Sequence, residues 1–88
     1  MIFISLNRAR KKLSKEFVAE SNKIIERGQK EGIKVLGMYW TLGRFDTVLI
    51  YEAPNEKAGM KFAMRAGDIV STETLVAVTR EEAIKLLE

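Results

Sequence analysis

The residue types best suited to chemistry in this sequence are gathered in one stretch, GMYWTLGRFD, at residues 37–46. It holds the only Trp of the chain, one of its two Tyr residues, and an acid just after a Gly-Arg pair. A carboxylate that is partly removed from water can act as a general base, and a phenol can donate or accept a proton. We therefore predict that Asp46 and Tyr39 are candidate catalytic residues. The predicted ligand-binding set is Tyr39, Trp40, Thr41, Arg44 and Asp46.

Each of these residues also has a purely structural interpretation. Polar residues beside a turn, such as Thr41 and Asp46, commonly hydrogen-bond the backbone. A Trp that shares a strand face with aliphatic residues usually packs in a core or an interface. Arg44, at the turn itself, suits an exposed position. The sequence leaves both interpretations open.

Composition excludes several mechanisms. The 88 residues include no Cys and no His. Disulfides, thiolate nucleophiles, imidazole metal ligands and Ser-His-Asp triads are therefore ruled out. No phosphate-loop or calcium-loop spacing is present, and we expect no cofactor, although a site for magnesium or calcium made only of carboxylates stays open. Any catalysis must rely on carboxylates, Tyr, Lys, Arg, Ser or Thr.

Length and composition indicate a single globular domain, residues 1–88. Hydrophobic residues make up 47% and charged residues 31%, which is the balance of a folded protein. No apolar run is long enough to span a bilayer. The basic RARKK segment follows the apolar MIFISLN stretch, whereas a signal peptide has its charges first. We expect a cytoplasmic protein.

Positive charge is concentrated in the first part of the chain. Residues 8–34 carry nine Lys and Arg against four Glu, and the densest cluster runs from Arg8 to Lys15. Such a cluster can bind phosphates or other anions, but it also suits a solvated loop and the start of a helix. No aromatic residue is interleaved for base stacking, so we do not expect a nucleic-acid partner.

The elements that must position the candidate residues follow from hydrophobic spacing and from helix and turn signals. In chain order, the sequence predicts a strand at 2–6, a helix at 13–31, strands at 33–42 and 45–52, a helix from Pro54-Asn55 to about Gly67, a strand at 71–78, and a short helix opened by a capping box at Thr79.

Gly43-Arg44 predicts a two-residue type II′ hairpin turn, because Gly supplies the positive φ of its first position. This turn would pair Leu42 with Phe45 and Trp40 with Thr47, and it sorts the side chains onto two faces. One predicted face carries Leu36, Met38, Trp40, Leu42, Phe45, Thr47, Leu49 and Tyr51. The other carries Val35, Gly37, Tyr39, Thr41, Asp46, Val48, Ile50 and Glu52.

The order β-α-β-β-α-β, followed by a short helix, predicts an α+β ferredoxin-like sandwich with a four-stranded antiparallel sheet and both long helices on one face. The hairpin strands are largely apolar on both sides, so the uncovered face would present an apolar patch that monomers rarely tolerate. We expect this open face to be buried against a second subunit in a two-fold homodimer.

At YWTLGRFD, followed by VLIYEAP and later STETL, the sequence resembles the GYD domain family. The Gly, Tyr, Asp pattern that names the family would fall on Gly43, Phe45 and Asp46, so that Phe replaces the Tyr. The similarity in spacing extends across almost the whole chain. The resemblance implies a dimeric α/β barrel built from paired ferredoxin-like subunits, and it implies no particular activity. Other proteins of this barrel superfamily often keep a ligand pocket beside the sheet.

Three functions remain open. The first is a homo-oligomeric α/β-barrel protein that binds a small aromatic or acidic organic ligand at the open sheet face. The second is a cofactor-independent enzyme, monooxygenase- or isomerase-like, that uses Asp46 and Tyr39. The third is anion or nucleic-acid binding through the basic segment from Arg8 to Lys15.

Overall fold

The computed structural model describes residues 1–88, and its elements follow the predicted order. The strands are β1 (Ile2–Ala9), β2 (Lys34–Trp40), β3 (Thr47–Glu52) and β4 (Val70–Ala77); the helices are α1 (Lys15–Lys30), α2 (Glu56–Arg65), with a 3₁₀ turn at Ala66–Asp68, and α3 (Arg80–Lys85). The strands pair antiparallel in the order β2-β3-β1-β4. This is the ferredoxin-like α+β arrangement, and the predicted fold class is confirmed.

Side-chain caps account for the starts of all three helices. Asn55 accepts a hydrogen bond from the N–H of Ala58 at 2.9 Å, and Thr79 accepts one from Glu82 at 3.1 Å, as the sequence predicted. Ser14 caps α1 in the same way, accepting from an N–H three residues on at 3.2 Å. Each cap satisfies a backbone donor that has no partner inside the helix.

The connection between β2 and β3 differs from the predicted two-residue turn. The pairings next to it are confirmed: Trp40 with Thr47, Tyr39 with Val48 and Met38 with Leu49. Beyond them, the N–H of Thr41 donates to the carbonyl of Asp46 at 2.8 Å, but the N–H of Asp46 donates to Asn7 of β1. The ladder therefore ends at Trp40, and the predicted pairing of Leu42 with Phe45 is wrong. Gly43 does take the predicted positive φ, at +107°.

A β-bulge in β2 changes the predicted sorting of side chains. Val35 lies opposite Tyr51 and Gly37 lies opposite Ile50, so Leu36 is the extra residue. Val35 therefore shares the face of Tyr51, and its predicted place beside Gly37 and Tyr39 is wrong. A single sequence does not reveal such a bulge, because the side chains of β2 are apolar on both faces whichever register the strand takes.

Both long helices pack on one face of the sheet, here called the covered face. At one end of it, the ring of Tyr51 stacks on Phe3 with centroids 5.4 Å apart and meets Phe62 of α2 edge-on at 4.9 Å. Gly59 lets α2 lie close to Phe3, since a Cβ at Gly59 would be 2.5 Å from the Phe3 ring. Three aromatic rings thus pack against one another at this end of the core, and Tyr51 is fully buried.

No long helix packs on the other face, here called the open face. Five of the six residues of α3 are exposed, so α3 does not shield it. The strand pairings place an aliphatic centre on the open face, made of Ile2, Ile4, Leu6, Val48, Ile50 and Leu75. The predicted apolar open face is thus present, while its burial in a dimer stays a prediction.

Candidate functional site

A partly open cavity lies between the two long helices and the covered face of the sheet. Its volume is about 110 Å³, close to the roughly 150 Å³ of an engineered apolar cavity that holds benzene. Phe17 and Ile24 of α1, Phe62 and Ala63 of α2, and Ala66 of the following 3₁₀ turn contribute to its walls. None of its eighteen lining residues carries a charge.

The cavity exists because the core is divided. One buried cluster surrounds Phe3, Tyr51 and Phe62, and a second consists of Phe17, Ile69 and Val70. Between the two clusters the sheet presents small polar side chains. Side chains of that size do not reach the helices, so the space between the layers is left unfilled.

The floor of the cavity is polar. Its polar residues and the neighbouring Thr74 are defined here as the polar row: Ser5, Asn7, Thr47, Thr72 and Thr74. The first four line the cavity. The hydroxyls of Ser5 and Thr72 each lie 2.9 Å from the hydroxyl of Thr74, and the amide Nδ2 of Asn7 donates to Thr47 Oγ1 at 3.2 Å. These bonds offset the cost of placing polar groups beneath two helices.

The cavity opens along β2, at the edge of the sheet. Trp40 and Met38 line it, yet they are 59% and 57% exposed. The indole of Trp40 meets the ring of Phe17 edge-on, with centroids 6.5 Å apart. Trp40, which belongs to the predicted ligand-binding set, therefore stands at the mouth of the cavity, where it can contact a ligand.

Tyr39 borders the same cavity but turns its ring the other way. It pairs with Val48 on the open face, and its ring covers Gly37, where a Cβ would lie 2.9 Å from the nearest ring carbon. Alternation along β2 thus directs Tyr39 and Trp40 to opposite faces of the sheet.

Asp46 lies outside the cavity and holds the backbone. Its Oδ2 accepts a hydrogen bond from the N–H of Ala9 at 2.7 Å, which ties the β2–β3 loop to the end of β1. Thr41 plays a similar part within the loop, because its hydroxyl donates to the carbonyl of Phe45 at 2.6 Å. The structure does not bring Asp46 and Tyr39 to one site, and their catalytic role stays a prediction.

Arg44 also lies away from the cavity. Its guanidinium is 5.5 Å from the centroid of the Phe45 ring and 3.9 Å from the carboxylate of Glu73, and Arg8 lies 5.7 Å from the same ring. These contacts stabilise the loop side of the open face through cation–π attraction and a surface ion pair.

The basic segment is partly engaged with its own fold. Arg10 donates from Nε to the carbonyl of Val70 at 3.3 Å, and the ammonium of Lys11 lies 3.1 Å from Glu20. Anion binding through this segment remains a prediction that no contact in the structure tests.

Two ionisable groups outside the cavity have shifted pKa values. Burial raises the pKa of the Tyr51 phenol, whose hydroxyl donates to the carbonyl of Gly59 at 3.4 Å. On the far side of the helices, hydrogen bonds from Arg65 and Lys61 lower the pKa of Glu31 to about 2. The first group stays a neutral part of the core, and the second joins the end of α1 to α2.

The polar row is the feature that the sequence reasoning missed. A signal for it was present, because Ser5 and Asn7 alternate with aliphatic residues in β1, and Thr72 and Thr74 alternate in β4. Small polar residues on the inner side of two neighbouring strands indicate a wet or ligand-bound floor. Recognising this requires knowing which side is inner, and a single sequence leaves that open.

No group of three or more carboxylates is placed to hold a metal ion. None of the helices combines the length and apolar character that a membrane crossing requires.

Comparison with known proteins gives one result. The family described as GYD domain matches residues 3–87, which include the whole cavity and, apart from Ile2, every strand and the centre of the open face. No curated protein matches the chain.

Proposed function

This chain belongs to the GYD domain family, and from that premise and the geometry of its cavity we propose that it binds a small, uncharged organic ligand between its helices and its sheet. The observation that carries the proposal is a partly open, benzene-sized space with apolar walls and a polar floor. Ligand sites in proteins commonly combine apolar walls with a few placed polar groups.

The absence of charge in the lining selects the class of ligand. An ionised carboxylate or ammonium entering an apolar space loses its hydration, which is costly unless an opposite charge meets it. The cavity offers no such partner. Neutral aromatic or alicyclic compounds suit it better than acids, and its volume accommodates about one six-membered ring, with room for substituents beyond the mouth at Trp40.

The proposal includes a homodimer formed through the open face. An aliphatic patch of this kind is matched best by an equally aliphatic surface, and a second copy supplies one by two-fold symmetry. Charges of both signs flank the patch, with Lys34 opposite Glu52 at one end and Arg44 near Glu73 at the other. Arg8 adds one more positive charge at the loop end, so each copy brings carboxylates that can pair with cations of the other, and the cavity on the other face remains accessible.

Trp40 makes the ligand proposal directly testable, because it is the only Trp in the chain and stands at the cavity mouth. Toluene titrated into the protein should change the Trp40 emission and saturate, when fluorescence is excited at the red edge of indole absorption. Ala63→Leu places a larger side chain in the cavity wall and should abolish the response. Leu is also a good helix former, so α2 is expected to stay folded.

Ala19→Leu is the matched control, since it makes the same change on an exposed position of α1. This variant should respond like the wild type. A wild-type protein whose Trp40 emission ignores toluene, or an Ala63→Leu variant that binds toluene as tightly as the wild type, would contradict the proposal.

A further inference from the structure

One polar group of the cavity floor is left without a partner. Asn7 lines the cavity and is only 8% exposed. Its Nδ2 donates to Thr47, while its Oδ1 takes part in no hydrogen bond within the chain. Every side-chain oxygen or nitrogen that is fully buried in this protein has a hydrogen-bond partner. Because Asn7 Oδ1 has none, it is not fully buried, and the space that Asn7 borders is the cavity.

The neighbouring hydroxyl has a free donor. Thr47 Oγ1 accepts from Asn7 and donates to no group within the chain, so its hydrogen is available. The other members of the polar row bond to one another, with Thr74 between Ser5 and Thr72. An accessible acceptor on Asn7 and a free donor on Thr47 therefore lie side by side.

We infer that the cavity selects uncharged ring compounds that carry one hydroxyl group. A hydroxyl is both a donor and an acceptor, so it can donate to Asn7 Oδ1 and accept from the hydroxyl of Thr47. This inference rests on the proposed function, and it names the ligand class that the same site takes. A ring without a hydroxyl would leave the Asn7 oxygen unpaired in a mostly apolar space, which is unfavourable.

Calorimetric titration with three matched compounds tests the selectivity: toluene, p-cresol and p-toluate. The wild type should bind p-cresol about 3- to 10-fold more tightly than toluene, the effect expected of one net hydrogen bond. It should bind p-toluate more weakly than both, because the lining has no cation.

Variants assign the preference to individual groups. Asn7→Leu is nearly isosteric and should reverse the preference in favour of toluene. Thr47→Val removes the free donor with little change of shape and should reduce the preference, so the inference stays testable if one of the two variants fails to fold. Ser71→Ala is the matched control, since it also removes one hydroxyl but Ser71 is exposed and lies outside the cavity lining. Its preference for p-cresol should be unchanged.

The outcomes separate this inference from the proposed function. Equal affinities for toluene and p-cresol would overturn the selectivity while leaving the ligand cavity intact. Binding of p-toluate as tight as that of p-cresol would also overturn it, as would a p-cresol preference that survives in both Asn7→Leu and Thr47→Val. Failure of all three compounds to bind would remove the proposed function together with the inference.

Discussion

In the middle of β1, the two sides of the sheet have their polarity reversed relative to an ordinary half-covered sheet. In the usual arrangement, apolar side chains face the helices and polar ones face water. Here β1 presents Ser5 and Asn7 to the helices, while Ile4 and Leu6 lie on the face that no helix covers. Stacked, buried aromatic rings occupy one end of the covered face, around Tyr51, and the other end has Trp40, which is largely exposed at the cavity mouth.

This reversal indicates where the molecule meets other molecules. A polar floor under helices is tolerated when its groups find hydrogen bonds, and the polar row supplies most but not all of them. An aliphatic surface in water is tolerated poorly unless a partner covers it. The covered face therefore suits a ligand and the open face suits a second copy, which separates binding from assembly within a chain of 88 residues.

The largest expected effect comes from charging the open face. Ile50 lies near its centre, opposite Ile4 and Gly37. In a two-fold dimer, Ile50→Lys would bury an unpaired charge in each subunit, so the dissociation constant should rise by at least roughly 100-fold. Light scattering at micromolar concentration should report twice the chain mass of 10.0 kDa for the wild type and the chain mass for the variant.

The matched control is Val18→Lys, the same type of change at an exposed position of α1. It should leave the mass unchanged. A monomeric wild type, or an Ile50→Lys variant that remains dimeric, would show that the open face is not the interface.

A smaller effect distinguishes the two ends of the covered face. A Cβ at Gly59 would collide with the ring of Phe3, so Gly59→Ala should lower the free energy of unfolding by about 1–2 kcal/mol, even though Ala favours the helix. Ala63→Leu adds three carbons beside the cavity and should cost less, because space is present there. Urea denaturation measures both.

Gly67→Ala controls for the change of residue type, since a Cβ at Gly67 meets nothing within 4 Å. It should be neutral or slightly stabilising. If Gly59→Ala proves as harmless as Gly67→Ala, or if Ala63→Leu is more destabilising than Gly59→Ala, then the tightly packed end of the covered face and the end with the cavity have been assigned wrongly.

The smallest effect concerns the ion pairs that join the helices above the covered face. Lys61 lies 2.9 Å from Glu31, and Arg65 donates to the same carboxylate. Because the pKa of Glu31 is lowered to about 2 in the folded protein, its contribution to stability is present above the unfolded-state pKa of about 4.3. The contribution is lost as the pH falls through the folded value.

Glu31→Gln should therefore melt slightly below the wild type at neutral pH, and the difference between the two melting temperatures should shrink as the pH falls from about 4 towards 2. Thermal unfolding monitored by circular dichroism over this range checks the prediction. A difference that is constant with pH would mean that the carboxylate charge contributes nothing to holding α1 against α2.

Much of the fold was predictable because its signals are local. Asn55 and Thr79 cap helices as expected, and Gly43 adopts its positive φ. The register of β2 and β3 was right next to the loop and wrong at Val35, because the bulge at Leu36 shifts one strand without changing its apolar character. The predicted site residues are not all gathered in one place. Trp40 does line the cavity, whereas Asp46 bonds to Ala9 and holds the backbone.

By itself, the sequence determined the order of the elements, the helix starts, the fold class and the presence of apolar side chains on both sides of the sheet, since these depend on spacing and on contacts within a few residues. Only the tertiary structure decided which face the helices cover. The cavity is built from all four strands below and from α1 and α2 above, and residues as distant as Asn7 and Ala63 share it. Such a space depends on how two layers pack, and no local pattern encodes the gap between them.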